Sequence, residues 1–266
     1  MKSTKFVKGA SLAAAILFLV MFCFVSNAAA TQEADTWQSE ITIYGWLPSI
    51  AGELKYNVPG SGDSATVDAS DILDDLNFVF MGNYVGSYNK WSFGADIIYM
   101  DVSGSNSTTV NVGPGPGPGV PVSISAGLSM KTWVFTGAGG YDVVQTDKAR
   151  LAVIGGVRYL KLDADMNQTG SILLPPSLSM SKDFWDGIVG VRGGIMLNEK
   201  WYVPYYADIG TGQSNLTWQL FAGIGYMFNW GDIRLGYRYL EYDQDDDKLV
   251  QDLKLYGPIL GVGFRF

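Results

Sequence analysis

The run Tyr256-Gly-Pro-Ile-Leu-Gly-Val-Gly-Phe-Arg-Phe266 closes the chain, with Leu260, Val262, Phe264 and Phe266 on alternate positions. Side chains of a strand point to opposite faces in turn, so this alternation describes a strand with one apolar face that ends on an aromatic ring. Gly261, Gly263 and Arg265 fall on the other face. The two sides of this strand are built for different surroundings.

The opposite end supplies the context. Lys2, Lys5 and Lys8 precede an apolar stretch from Ala10 to Val25, and Ser26, Asn27 and Ala28-Ala29-Ala30 follow it. That is the charged, apolar and small-residue order of a secretory signal, with cleavage expected after Ala30. A retained spanning helix needs roughly 20 apolar residues, more than this stretch offers before its cleavage-type site. The expected division is a signal peptide over 1–30 and one β-barrel domain over 31–266. Export combined with a terminal amphipathic strand ending in Phe266 is how bacterial outer-membrane barrels end, and Phe264 and Phe266 are read as the assembly signal. Cys23 is the sole cysteine and lies inside the signal. The exported chain therefore has no thiol for disulfides, catalysis or metal binding.

Composition agrees. Once the signal is removed, 15 cationic and 26 acidic side chains remain, a net charge of −11 that makes nucleic acid a poor partner. Beyond the signal no unbroken apolar run is long enough for a spanning helix. The 33 glycines and 14% aromatic residues suit strands and turns.

Alternation between turn signals predicts ten strands, near 37–48, 77–88, 91–103, 127–143, 150–163, 183–197, 200–211, 215–228, 231–244 and 250–266. Connections at Asn89-Lys90, Val144 to Ala149, Asn198-Glu199 and Asn229-Trp230 are short, whereas 49–76, 104–126 and 164–182 read as long loops. Short turns on one side and long loops on the other are the asymmetry of outer-membrane barrels. An even count returns the carboxyl end to the periplasmic side.

One parity of these strands is apolar: Ile41, Ile43, Phe80, Phe93, Trp133, Phe135, Val153, Trp185, Val189, Ile209, Leu220, Ile224, Ile233 and Leu235 all share it. Tryptophan and tyrosine gather near strand ends, where an amphipathic ring reaches lipid and headgroup at once. A soluble sandwich would use the same residues as a core, but it would need neither the export signal nor the terminal Phe266.

The opposite parity carries Glu40, Asp96, Arg158, Asp186, Arg192, Asp208, Arg234, Arg238 and Arg265. Five positive and four negative groups nearly cancel, and glycines such as Gly190, Gly194, Gly236, Gly261 and Gly263 leave room for their long side chains. The expectation is a lumen filled by an ion-pair network, because charge withdrawn from water must be paired. A charged channel lining is the alternative. Eight strands leave space only for side chains and sixteen leave an aqueous pore, so ten sits nearer the closed end.

Loop segments add little. Asp243-Gln-Asp-Asp-Asp247 lacks the spaced ligands and glycine of a calcium loop and reads as a solvated acidic turn. Gly113-Pro-Gly-Pro-Gly-Pro-Gly119 has no lysine and no following helix, so it is no phosphate loop. Ser70-Asp-Ile-Leu-Asp-Asp-Leu76, with a serine cap and leucines three apart, predicts a short helix.

The chain contains no histidine. Mechanisms that activate water or serine through an imidazole are therefore closed to it. No pair of carboxylates singles itself out, and no enzyme, cofactor or metal centre is expected.

The segments Ile43-Tyr-Gly-Trp-Leu-Pro-Ser-Ile50, Trp185-Asp-Gly-Ile-Val-Gly-Val-Arg192, Tyr205-Tyr-Ala-Asp-Ile-Gly210, Trp218-Gln-Leu-Phe-Ala-Gly-Ile-Gly-Tyr226 and Leu235-Gly-Tyr-Arg-Tyr239 resemble those of uncharacterised small outer-membrane β-barrel proteins of Gram-negative bacteria, within the broad porin-like superfamily. The resemblance spans the exported chain and implies an architecture, with no site residues to carry over. The expected protein is an all-β, antiparallel, up-and-down transmembrane barrel of about ten strands (eight being the other count considered), monomeric and surrounded by outer-membrane lipid. Barrel-assembly machinery is its expected partner during biogenesis. Its expected role is structural, adhesive or ligand-binding, with a narrow channel for small solutes as the alternative.

Overall fold

A computed structural model describes residues 36–54, 64–67, 75–112, 120–169, 177–244 and 250–266. The expected signal peptide lies outside them, as do the 113–119 segment and most of the residues read as a short helix and an acidic turn.

All regular structure described is strand: β1 (Gln38–Trp46), β2 (Ser49–Leu54), β3 (Ser64–Val67), β4 (Leu76–Tyr88), β5 (Trp91–Val112), β6 (Val120–Gln145), β7 (Ala149–Thr169), β8 (Ser177–Met196), β9 (Trp201–Gly212), β10 (Leu216–Phe228), β11 (Gly231–Asp243) and β12 (Val250–Arg265). From β4 to β12 each strand pairs antiparallel with the next; β1 pairs with β4 on one side and β12 on the other, which closes a barrel of ten.

β2 and β3 are extensions of that wall. Trp46 faces Ile259 and Ser49 faces Tyr256, so β1 and β2 run along β12 in one register. The break between them falls at Leu47-Pro48, where proline has no N–H to give to a ladder. β3 then pairs with the outer edge of β2.

The ends differ as the sequence implies. Tyr88 pairs with Trp91 across Asn89-Lys90, and Asn89 takes φ of 52°, a left-handed turn conformation that asparagine tolerates. Met227 and Phe228 likewise pair directly with Asp232 and Gly231 across a two-residue turn. Gln38 at the start of β1 and Arg265 at the end of β12 lie at this short-turn rim, which by the barrel rule is periplasmic.

The expected long loops at 104–126 and 164–182 are mostly strand. β5 to β8 are 22, 26, 21 and 20 residues long, whereas a tilted membrane crossing takes about 9–11. These four strands stand above the membrane as a wall. There the outward parity turns polar, as at Ser123, Ser125 and Ser129, while Val120, Val122, Ile124, Leu128 and Met130 hold the other parity of β6, so a reading that follows the outward apolar face ends the strands too early.

The position of lipid is marked on the outward face. Trp91 and Tyr99, Trp133 and Tyr141, and Trp218 and Tyr226 each lie eight residues apart on one strand. That separation is about 26 Å along the strand and nearer 20 Å in height once tilted, close to the apolar band of outer-membrane barrels. Rings meet along both rims: Tyr99 with Trp133 (4.4 Å) and Tyr159 with Trp185 (4.6 Å) on the outer side, Trp91 with Tyr141 (5.0 Å) and Trp201 with Tyr226 (4.9 Å) on the periplasmic side. Between the rims Ile43, Phe93, Val153, Val189, Leu220, Ile224 and Leu235 are exposed. Two residues beyond the outer ring on each strand the face turns charged, at Asp101, Lys131, Lys161 and Asp183. Phe264 and Phe266 are exposed on the same outward face, and Phe264 lies 5.5 Å from the Trp230 ring.

This geometry predicts depth-dependent tolerance. Ile224→Arg or Leu235→Arg, in the band, should destabilise the folded barrel by about 2–4 kcal/mol in urea unfolding from lipid vesicles. Ser105→Arg, exposed on the wall above the band, should change it by less than about 0.5 kcal/mol. Equal effects at the two depths would contradict the placement of lipid.

Candidate functional site: the barrel lumen

Every charged residue assigned to the lumen from parity sits on the inward face of its strand, and the structure adds Asp142, Arg150 and Asp232 to the same face. Asp142 and Asp232 are buried at 2% and 0% exposure, so their omission matters. The signal was present: Asp232 stands two residues before Arg234, and Arg150 shares the parity of Arg158.

Four residues form a cluster at the periplasmic rim of the seam where β1 meets β12. Arg234 bonds Glu40 (2.7 Å) and Asp232 (2.8 Å through both Nε and Nη2), and Arg265 bonds Glu40 (2.9 Å) and Asp232 (2.6 Å). Two arginines and two carboxylates thus tie β11, β12 and β1 together. Gly263 makes room for them, since a Cβ there would lie 2.7 Å from Arg234 Nη2 and 3.0 Å from Asp232 Oδ1.

Two pairs lie deeper. The Arg238 guanidinium bonds Tyr44 (3.0 Å) and Asp96 (3.4 Å), Tyr44 donates to Asp96 (2.8 Å), and the guanidinium stacks over the Tyr44 and Trp46 rings. Arg158, wholly buried, pairs with Asp208 and donates to Thr136 and Thr217, each at 3.3 Å. Asp186 faces Arg158 in the β7–β8 register, yet its carboxylate accepts from the backbone N–H and hydroxyl of Ser214, both at 2.8 Å. The outer turn has taken the carboxylate that strand register alone would give to arginine.

Arg192 is different. Arg150 is held by Asp142 (2.7 Å), but among the described residues no carboxylate lies within ion-pair distance of Arg192.

The lumen is not polar throughout, which corrects the expectation of a wholly polar filling. Trp46, Met81, Ile98, Val134, Leu160, Leu240, Tyr242, Leu253, Leu255 and Ile259 form one buried cluster across the outer half, with Phe184 and Phe221 packed against it. Val134 and Leu160 each stand two residues outward from the Thr136–Arg158 level. Below the cluster a cavity of about 510 Å³ reaches the periplasmic rim, lined near that rim by Thr146, Asp147 and Met196 and farther in by Thr136, Phe221 and Ile259. Among the described residues no group of three or more acidic side chains is placed to hold a metal ion.

A closed sheet whose apolar belt faces outward between two aromatic rims, and whose charges face inward in pairs, is built for a membrane that strands can cross. The chain is an outer-membrane β-barrel protein. No protein-family model matches it, and no curated protein is similar to it in sequence. Among solved structures it is similar to the outer-membrane protease OmpT of Escherichia coli, with 10% identity over 90% of this chain and 99% of that one and a TM-score of 0.49. It is also similar to the translocator domain of the autotransporter NalP from Neisseria meningitidis (16% identity, 98% and 97% covered, TM-score 0.43). OprG from Pseudomonas aeruginosa aligns at 11% identity, with 88% and 97% covered and a TM-score of 0.32. No residue role passes from these proteins to this chain.

The pairing predicts where stability is held. Arg158→Ala would leave Asp208 charged and buried, a change that typically costs about 3–5 kcal/mol. Urea unfolding in detergent should show a loss of that order, and a loss below about 1 kcal/mol would contradict the buried pair.

Proposed function

We propose that this protein is a closed, non-enzymatic outer-membrane barrel, monomeric in lipid, that works through its outer wall and loops in a structural, adhesive or binding role. The observation that carries this reading is the apolar cluster across the outer half of the lumen. An ion crossing it would shed much of its water among Met81, Ile98, Val134, Leu160 and Leu240, none more than 2% exposed, where apolar side chains outnumber the polar atoms that could replace that water. The paired charges below it fill space and fix the wall. Leu240 and Leu160 are fully buried, which supports a lumen closed at their level.

The absence of histidine removes the usual general base, and each seam carboxylate is already bonded to arginine. The extensions of β5 to β8 supply an ordered backbone outside the membrane that a partner could meet. Delivery by the barrel-assembly machinery, with Phe264 and Phe266 as its recognition signal after removal of residues 1–30, is part of the same proposal.

Wild-type protein in planar bilayers should give no steady single-channel current. The combined variant Trp46→Ala, Leu160→Ala and Leu240→Ala should conduct, because it empties the outer lumen. A steady current from the wild type would overturn the closed reading and favour the narrow channel.

A further inference from the structure

We propose that the periplasmic cavity is a binding site for a small anion, a carboxylate or phosphate, held by Arg192 with Arg150 beside it. Five arginines and four carboxylates line the cavity. Glu40 is bonded to Arg234 and Arg265, Asp96 to Arg238 and Tyr44, and Asp142 to Arg150, while Asp147 sits exposed on the rim turn. Among the described residues Arg192 is the cavity arginine that forms no ion pair.

The sequence also keeps space open around it. Arg192 faces Ala152 across the β7–β8 ladder, Arg150 faces Gly194, and Ala138 faces Gly94. Arg150 and Arg192 are therefore diagonal neighbours on adjacent strands, close enough for one anion to meet both guanidinium groups. Arg192 reaches so far across the lumen that a Cβ on Gly94 would lie 3.2 Å from its Nη1. Long side chains at Ala138, Ala152 and Gly94 would have filled this volume. Small ones surround an unpaired, partly buried guanidinium with room for a ligand. Partial burial strengthens its pull on an anion, and the planar fork suits two parallel hydrogen bonds to a carboxylate or phosphate.

Such a group could belong to a soluble periplasmic anion or to a lipid headgroup. The cavity lies inside the barrel and opens at the periplasmic rim, so a soluble anion is the ligand. The inference rests on the closed reading only in treating the cavity as blind-ended.

The test is calorimetric titration of the detergent-folded protein with inorganic phosphate and with succinate in low-salt buffer, and separately with micelles containing phosphatidic acid. Saturable binding of phosphate or succinate is expected, weakened at least tenfold by Arg192→Gln and less by Arg192→Lys, which keeps the charge and loses the fork. The unfolding midpoint of Arg192→Gln should lie close to that of the wild type, because among the described residues no carboxylate forms an ion pair with Arg192. No saturable binding to either soluble probe, binding by Arg192→Gln within twofold of wild type, binding of the lipid alone, or a lowered unfolding midpoint would each overturn the site. Current recorded from the same preparation would overturn the closed barrel instead, leaving the binding result to stand by itself.

Discussion

The pairing of β1 with β12 is the interaction on which the rest depends. In hydrocarbon an unpaired backbone N–H or carbonyl has no water to turn to, so a sheet survives there only without an edge. Ser39 and Phe266 exchange both backbone hydrogen bonds at the last position of this seam (2.8 and 3.0 Å), and Glu40 lies opposite Arg265 one step above. Closure then forces every side chain either into lipid or into a narrow lumen. The chain has met that demand with apolar residues outside and a nearly balanced set of charges within.

Two solutions to the crowded interior stand one above the other. Toward the periplasm, arginines and carboxylates from strands far apart in sequence satisfy one another, and glycines give their side chains room. Toward the outside, aliphatic and aromatic side chains meet across the lumen and need no polar partner. Several of these charged groups are buried, and their pairing with one another offsets the desolvation. The apolar layer lies where a seal is useful, beneath a wall of strands that stands in water. The barrel is in effect a cup inverted toward the periplasm.

Much of this was legible in the sequence because lipid imposes a strict period. The outward parity of Ile43, Phe93, Trp133, Val189 and Leu235 follows from alternation alone, and the paired aromatics on single strands mark the membrane's two faces. What the period does not encode was lost. β5 to β8 run on past the lipid through serines, threonines and asparagines, which read as loop. Arg234 and Arg265 find Glu40 across 194 and 225 residues of chain, and no local spacing announces such a pair. Asp186 faces Arg158 in register but goes to Ser214, a choice made by the conformation of a turn. The charges of the inward face do not announce the apolar layer, although Met81, Ile98, Val134 and Leu240 share that parity.

The central claim is a lumen sealed on its outer half and open to the periplasm below. Cys23 is the one cysteine of the sequence, so in a Cys23→Ser background single cysteines placed in the barrel report alone. Ala138→Cys and Val134→Cys sit on one strand and one face, two inward positions apart. With membrane-impermeant thiol reagents applied from one side at a time, the account predicts labelling of Ala138→Cys from the periplasmic side alone and no labelling of Val134→Cys from either side. Labelling of Val134→Cys from both sides would contradict it.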